Sequence, residues 1–346
     1  MLLLYTLLCT TLLFICLERY NQAMVNWQED TPGPDWDKTQ TERAAHFLQS
    51  SAWAAFLAAR NKRVFFAQDA GWSWLATFEV KKLGKYLYCP YGPTVSSADD
   101  LSKALASIKS CAKKLKADFI RIEPQGPITE KDLRALHLQR AHRDIQPRFT
   151  LLKDLSRSDE DLLIEMSSTN RRLYRRASEL GFTFKSSQNP EDIEPFLDML
   201  QETAKRHNVV FHAREYFKTM ASTLMPLGAA KIFYAIHDQQ PAAACLTFEN
   251  SNARYYAHAA SADAARKLQP GVPLMGHVIF DAKAEHKQLF DYYGIAPPDQ
   301  PDHKLAGVTQ FKKSFGGEVK ETLGTWELPV RIVRYHSYRL VRKIRH

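Results

Sequence analysis

The stretches VFFA (Val64–Ala67) and IFYA (Ile232–Ala235) are each followed by the tripeptide TFE, at Thr77–Glu79 and Thr247–Glu249. The copies are offset by 168 residues at the first match and 170 at the second, a difference assigned here to the turn HDQQP (His237–Pro241). Around the first copy, RVFFAQD and SWLATFEV read as two strands joined across Asp69–Trp72, with Gly71 supplying the turn. Similar hydrophobic hairpins also arise by chance, because strands draw on few residue types. The order of the matches nevertheless favours two related domains.

The segments around the hairpins complete the same plan. Ser97 and Asp100 form a capping-box pattern before a helix with Leu101, Leu105, Ile108 and Leu115 on one face, and the strand DFIRIEP follows. Ser158 and Asp161 likewise predict one helix carrying Leu162, Leu163, Met166, Leu173, Ala177 and Leu180 inward and ending at Gly181. Asn189–Pro190 opens another, with Ile193, Phe196, Leu197 and Leu200 as its apolar stripe. Glu29–Asp37 reads as a linker and Arg43–Ala59 as a helix bearing Phe47, Trp53 and Phe56. The expected architecture is α+β: two tandem domains, with the cleft between them as the default site.

With 346 residues and 45% hydrophobic content, the chain has the material for a large core. Its formal charge of +9 favours polyanionic partners: nucleic acid, nucleotide diphosphates or an anionic membrane surface. Cys9, Cys16, Cys89, Cys111 and Cys245 are odd in number, scattered and without CxxC spacing, which argues against a disulfide scaffold or zinc site and for buried thiols in a reducing compartment. The apolar run Leu2–Leu17 is shorter than a spanning helix normally needs. Residues 1–24 therefore fit three readings: a short membrane anchor, a degenerate signal, or coding sequence ahead of a start at Met24.

Two basic clusters stand out. Arg171, Arg172, Arg175 and Arg176 share one helix face, either simply solvated or contacting tRNA or other phosphates through their donor forks. The C-terminal RIVRYHSYRLVRKIRH interleaves six Lys/Arg with aromatic and aliphatic residues, as a packed helix with a basic edge, a lipid-surface segment or an RNA contact. The histidines show no metal spacing, and neither a GxSxG elbow nor a Walker loop is present. In ARKLQPGVPLMGH (Ala265–His277), Pro270 and Pro273 remove amide donors that a coenzyme A pyrophosphate cradle needs. No metal or cofactor is expected.

The segments YLYCPYGPTV, FIRIEPQ, QPRFTLLKDLSRSDEDLLIEMSSTNRRLYRRASELG, LFDYYGI and GVTQFKKSFGGEVKETLGTWELP, in this order, resemble the Fem-type aminoacyltransferases that build peptidoglycan interpeptide bridges. The likeness is to the short FemX-like members without a coiled-coil arm and spans nearly everything after Met24. It implies two tandem GCN5-related N-acetyltransferase-like domains, set here at 25–147 plus 316–346 and at 148–315. It also implies transfer of an amino acid from aminoacyl-tRNA to the stem-peptide amine of a nucleotide-linked or lipid-linked cell-wall precursor, by a cytoplasmic monomer working near the membrane's inner face. An acyl-CoA donor or small-molecule acceptor on the same fold, or non-catalytic binding of precursor or RNA, are the alternatives.

Residue by residue, the resemblance gives Lys312 electrostatic stabilisation of the tetrahedral oxyanion and Phe311 positioning, with Lys313 beside them as a phosphate contact. Gly316 and Gly317 let the backbone turn past substrate. Arg206, Arg214 and Tyr216, in TAKRHNVVFHAREYF, match the region that holds precursor phosphates, and Tyr256 and Asp291 match a further aromatic and acid. Two departures follow. Tyr91-Gly92-Pro93 lacks the acid that commonly follows, leaving the general base unassigned, and Ala54 and Ala55 replace a phosphate-binding lysine after Trp53, with Arg60 or Lys62 as substitutes.

Overall fold

The computed structural model describes residues 27–207 and 211–344, so the apolar segment 1–24, with Cys9 and Cys16, lies outside the described residues. The chain divides into one unit of residues 1–49, 61–145 and 323–346 and a second of residues 50–60 and 146–322. The first unit begins with β1 (Gln28–Glu29) and α1 (Pro34–Glu42). Pro34 at the helix start and Asp35 and Asp37 in its first turn make a helix where a linker was expected. The helix expected over Arg43–Ala59 is shorter: α2 spans Ser51–Ala59, started by the Ser50 side chain accepting from the Trp53 amide. It packs with the second unit, where Phe56 meets Tyr216 edge-on at 5.3 Å and Trp53 meets Phe248 at 5.8 Å.

The first sheet continues with β2 (Val64–Asp69), β3 (Trp72–Lys81), β4 (Gly84–Cys89), β5 (Thr94–Val95), α3 (Ala98–Lys114), β6 (Phe119–Ile122), α4 (Glu130–Ala135) and β7 (Gln139–Arg140). The second unit supplies β8 (Phe149–Asp154), α5 (Asp159–Ile164), α6 (Ser168–Arg175), β9 (Phe182–Ser187), α7 (Glu194–His207), α8 (Arg214–Leu224), β10 (Ala230–His237), β11 (Gln240–Glu249) and β12 (Ala253–Ser261). It ends with α9 (Gly271–Ala284), β13 (Leu289–Gly294), α10 (Ala306–Lys313) and β14 (Glu318–Glu321). β15 (Trp326–Pro329) and α11 (Ile332–Ile344) then return to the first unit. The boundary falls after Thr322 rather than Phe315, because β14 pairs with β8 in the second sheet.

The strand orders are β1-β2-β3-β4-β6-β15-β7, with β5 on β3, and β14-β8-β13-β12-β11-β10-β9. Each sheet holds an antiparallel three-strand meander (β2-β3-β4, β10-β11-β12) that a crossover helix links to a parallel fourth strand, β4 to β6 and β12 to β13. This repeated mixed-sheet plan is the tandem GCN5-related N-acetyltransferase-like arrangement. The repeat differs in one detail from expectation. Both hairpins close on two-residue turns, Ala70–Gly71 and Asp238–Gln239, so the extra residues are not in the turn. One is a bulge in β11 opposite Ala235/Ile236, and the other is a register difference, Thr247 pairing with Lys231 where Thr77 pairs with Val64.

The helix expected from Ser158 to Gly181 is two helices. Ser167 accepts from the Asn170 amide at 3.3 Å, capping α6, while its own amide donates to the Ser314 carbonyl at 2.8 Å. That tertiary anchor ends α5 early and leaves Leu180 exposed, although Leu162, Met166 and Ala177 are buried as expected. Cys89, Cys111 and Cys245 are buried and free, with burial pushing each thiol up.

Candidate active site

In the second unit, β12 and β13 pair in parallel through only three positions, Ala253–Tyr255 with Leu289–Asp291. Beyond that point β12 continues to Ser261 alongside β11, while β13 pairs with β8 at Gly294 and Thr150. Parallel strands that part expose backbone and make room for a ligand at the fork. A cleft of about 590 Å³ lies there, walled by Ala243, Ala244, Tyr256, Ala260, the turn around Gln269–Gly271, and Phe311. The run of alanines on two strands, where β-branched residues would fill the space, keeps it open.

The opposite wall is fixed by a strap between α6 and the end of α10. Asn170 Nδ2 donates to Ser314 Oγ at 2.6 Å, and the Ser314 hydroxyl donates to the Phe311 carbonyl at 2.6 Å. Thr169, Asn170 and Phe311 thereby line one side of the cleft. Lys153, fully buried, holds the next residues: its ammonium donates to Glu165 and, at 3.0 Å, to the Phe315 carbonyl.

Lys312 differs sharply from its neighbour Lys313. One step along α10 turns the side chain by about 100°. Lys313 is exposed, whereas Lys312 is 6% exposed and donates to the Gly294 carbonyl at 2.7 Å. Burial lowers the Lys312 pKa from 10.5 to about 8, with the Asp291 carboxylate opposing the shift. Asp291, itself buried, accepts from Thr150 Oγ1 and from the Tyr293 amide at 2.7 Å, and burial holds its carboxyl above the ordinary range. Lys312 is therefore an internal cation. It is not itself a cleft-lining side chain; Phe311 is.

Tyr256 is 7% exposed on the cleft wall, and its hydroxyl has no hydrogen-bond partner among the described residues. Burial pushes its pKa well up, so it stays a neutral donor. At the start of α9, Val272 donates to the Gln269 carbonyl at 3.0 Å and Pro273 has no N–H, which leaves the Gly271 amide as the free donor at the turn. That is a thin cradle for a pyrophosphate, in line with the proline pattern.

The remaining candidates fall elsewhere. Tyr216 on α8 is stacked by His212 at 3.9 Å, and the Arg60 guanidinium sits 4.6 Å from its ring centroid with no ion pair among the described residues. Arg60 therefore joins Tyr216, while Lys62 is committed to Glu79 at 3.0 Å in the other unit. Arg214 is exposed and held by Glu194 and, at 2.8 Å, Asp198, so its charge is largely spent. Arg206 belongs to α7, and its side chain lies outside the described residues.

Gly316 and Gly317 have φ of +82° and +101°, and a Cβ there would lie 2.6 Å from Glu165 and from the Leu152 carbonyl oxygen. Their glycine requirement comes from packing against their own unit, and neither lines the cleft. On α6 and its C-cap, Arg171 donates to the Ile164 carbonyl at 3.3 Å, Arg175 pairs with Glu160 at 3.4 Å and Arg176 with Glu179 at 2.8 Å. Arg172 is exposed and unpaired among the described residues. Sequence reasoning missed Arg266, exposed at the cleft turn inside a loop judged only for its prolines, and missed Thr169 and Asn170.

Two repeated mixed sheets with a ligand-sized cleft where parallel strands fork define an acyltransferase-like fold. A family model described as the FemAB family matches residues 36–142, 132–226 and 227–343, and the chain belongs to that family. The Lipid II:glycine glycyltransferase of Staphylococcus aureus is 25% identical over 218 residues, covering 58% of this chain and 50% of that protein. The chain thus spans about half the length of the curated relatives it matches. A crystal structure of FemX is similar with a TM-score of 0.80 at 18% identity, covering 90% of this chain and 99% of that one. The structure of L-PGS from Bacillus licheniformis is similar with a TM-score of 0.58 at 13% identity, covering 90% and 98%. These two likenesses concern the fold alone.

Proposed function

We propose that the chain is a tRNA-dependent aminoacyltransferase that adds an amino acid to the stem-peptide amine of a peptidoglycan precursor. The observation that carries this reading is the buried Lys312 ammonium, held on the Gly294 carbonyl one residue along α10 from Phe311, which walls the cleft. The acceptor amine attacks the ester carbonyl of the aminoacyl-tRNA. A C–N bond forms, the carbonyl oxygen becomes an oxyanion, and collapse breaks the C–O bond to the ribose. The proton lost by the amine ends on the departing ribose oxygen, relayed by a carboxylate or phosphate of the substrates.

Negative charge thus appears twice, on the carbonyl oxygen and then on the ribose oxygen. A cation held in a water-poor surrounding stabilises both more strongly than one in solvent. Asp291 keeps Lys312 charged at neutral pH, and the Gly294 carbonyl fixes its direction. The Tyr256 hydroxyl is the donor within the cleft itself, and Phe311 positions the aminoacyl end. Arg60 over Tyr216 supplies a cation for precursor phosphate. The family's named glycyltransferase acts on lipid II by its printed name, and a lipid-linked acceptor is included in the proposal. No helix among the described residues is long and apolar enough to cross a membrane.

Purified chain incubated with a panel of charged tRNAs and either precursor form tests the proposal. A product heavier by one aminoacyl group supports it. Binding of precursor or tRNA without product from any pair returns the chain to the class of non-catalytic binders.

A further inference from the structure

The last helix presents two faces with different chemistry. Tyr335, fully buried, and Tyr338 pack α11 against Phe119, with ring centroids 5.5 and 4.7 Å away. Its outer face leaves Ile332 66%, Val333 80% and Leu340 62% exposed. At 100° per residue, Val333, Ser337 and Leu340 fall within about 60° of one another. Ser337 turns its hydroxyl back to the Val333 carbonyl at 3.0 Å, so it adds little polarity to that stripe.

Charge surrounds the stripe. From Leu328 to His346 the sequence holds six Lys/Arg and no Asp or Glu. Arg334, exposed and in a long 3.9 Å pair with Asp118, flanks the stripe at about 100° from Val333, and His336 at about 60° on the other side. The β3–β4 turn meets the helix on its Tyr338 side, where a Cβ at Gly84 would sit 3.9 Å from that ring, and it brings exposed Lys82 and Lys85. Behind the helix, a pocket of about 430 Å³ is lined by Arg121, Arg143, Arg339 and Arg342. The one carboxylate there, Glu327, is already engaged by Arg121 and by the Tyr335 hydroxyl at 3.1 Å.

We propose that the outer face of α11, with the β3–β4 turn, docks on an anionic lipid bilayer: Val333 and Leu340 enter the headgroup–acyl boundary and the neighbouring cations meet lipid phosphates. A polybasic surface combined with an apolar stripe gives the two signals that stable peripheral attachment requires. RNA would reward the arginines but not aliphatic side chains left in water, so the stripe favours lipid. This inference concerns attachment and stands apart from the transfer chemistry.

The test is co-flotation of the full chain with phosphatidylcholine vesicles, alone or containing about one-third phosphatidylglycerol, at low and high salt. Binding is expected to the anionic vesicles and to weaken with salt. Val333→Asp with Leu340→Asp should lower the partition coefficient at least roughly tenfold, and Arg334→Ala roughly fivefold. Val333, Arg334 and Leu340 are exposed, so circular dichroism and Tm should match the parent. Partitioning unchanged in both variants, or equal on neutral vesicles, overturns the proposal. So does an RNA homopolymer that binds the parent and loses only to the arginine variant while vesicle binding is untouched. Self-association abolished by the aspartates, without any vesicle binding, assigns the stripe to a second copy and also overturns it.

Discussion

Replacing Lys312 with methionine keeps most of the side chain, unbranched and one atom shorter, and removes its charge. Folding lowers the Lys312 pKa from 10.5 to about 8, so between those values the unfolded chain holds a proton that the native chain has lost. Stability contributed by this group therefore rises with pH through that window, and below it the full burial penalty stands. The penalty is about 3 kcal/mol, most of which is recovered by pH 10. At pH 7 the methionine variant escapes that penalty but leaves the Gly294 carbonyl without its donor, a loss of about 1–3 kcal/mol. The two are expected to be close in stability at pH 7, with the parent gaining on the variant by about 2–3 kcal/mol at pH 10. Urea unfolding followed by tryptophan fluorescence at several pH values reads the difference, in which the other titrating groups cancel. Transfer activity should move the opposite way, falling about tenfold per pH unit above about 8 in the parent as the ammonium is lost, and being slow and nearly pH-independent in the variant. A stability difference flat from pH 7 to 10 would refute the buried-cation reasoning, and parental activity in the variant would remove Lys312 from the chemistry.

Tyr256→Phe should leave stability within about 1 kcal/mol of the parent, since its hydroxyl has no protein partner to lose among the described residues, yet lower kcat roughly 100-fold if that hydroxyl donates in the transition state; thermal melts and steady-state rates separate the two effects. Arg60→Ala should raise the KM for precursor about tenfold with little change in kcat, whereas Arg214→Ala, already paired to two carboxylates, should shift it less than about twofold. Gly317→Ala should cost at least about 2 kcal/mol, because φ of +101° and the Leu152 carbonyl oxygen 2.6 Å from the new Cβ both oppose it; calorimetry checks this, and a Tm equal to the parent's would show that the turn relaxes freely.

The hairpins were legible because alternating strands and short turns are encoded locally, and the repeat was legible because two such units preserved their order. The Ser97 cap was legible for the same reason: its side chain accepts from the Asp100 amide at 3.1 Å. The split at Ser167 was not, since the leucine pattern continues through it and the deciding bond is to Ser314, far along the chain. Nor was the membership of α2, whose aromatic partners Tyr216 and Phe248 lie in the other half of the sequence. Lys312 and Lys313 are identical as letters, and only the rotation of α10 against β13 buries one and leaves the other in water. The cleft was hidden for a different reason: it is made of alanines, residues conspicuous for what they leave unfilled. Arg60 gained meaning only when the fold laid it over Tyr216.

The most direct measurement of the central claim is a donor competition. Precursor is offered aminoacyl-tRNA carrying a heavy-isotope amino acid together with an excess of acetyl-CoA, and the product mass is read by mass spectrometry. The account predicts a product gaining one heavy aminoacyl group and no acetyl, at a rate unaffected by coenzyme A. An acetylated product, or heavy product suppressed in proportion to coenzyme A, would contradict it.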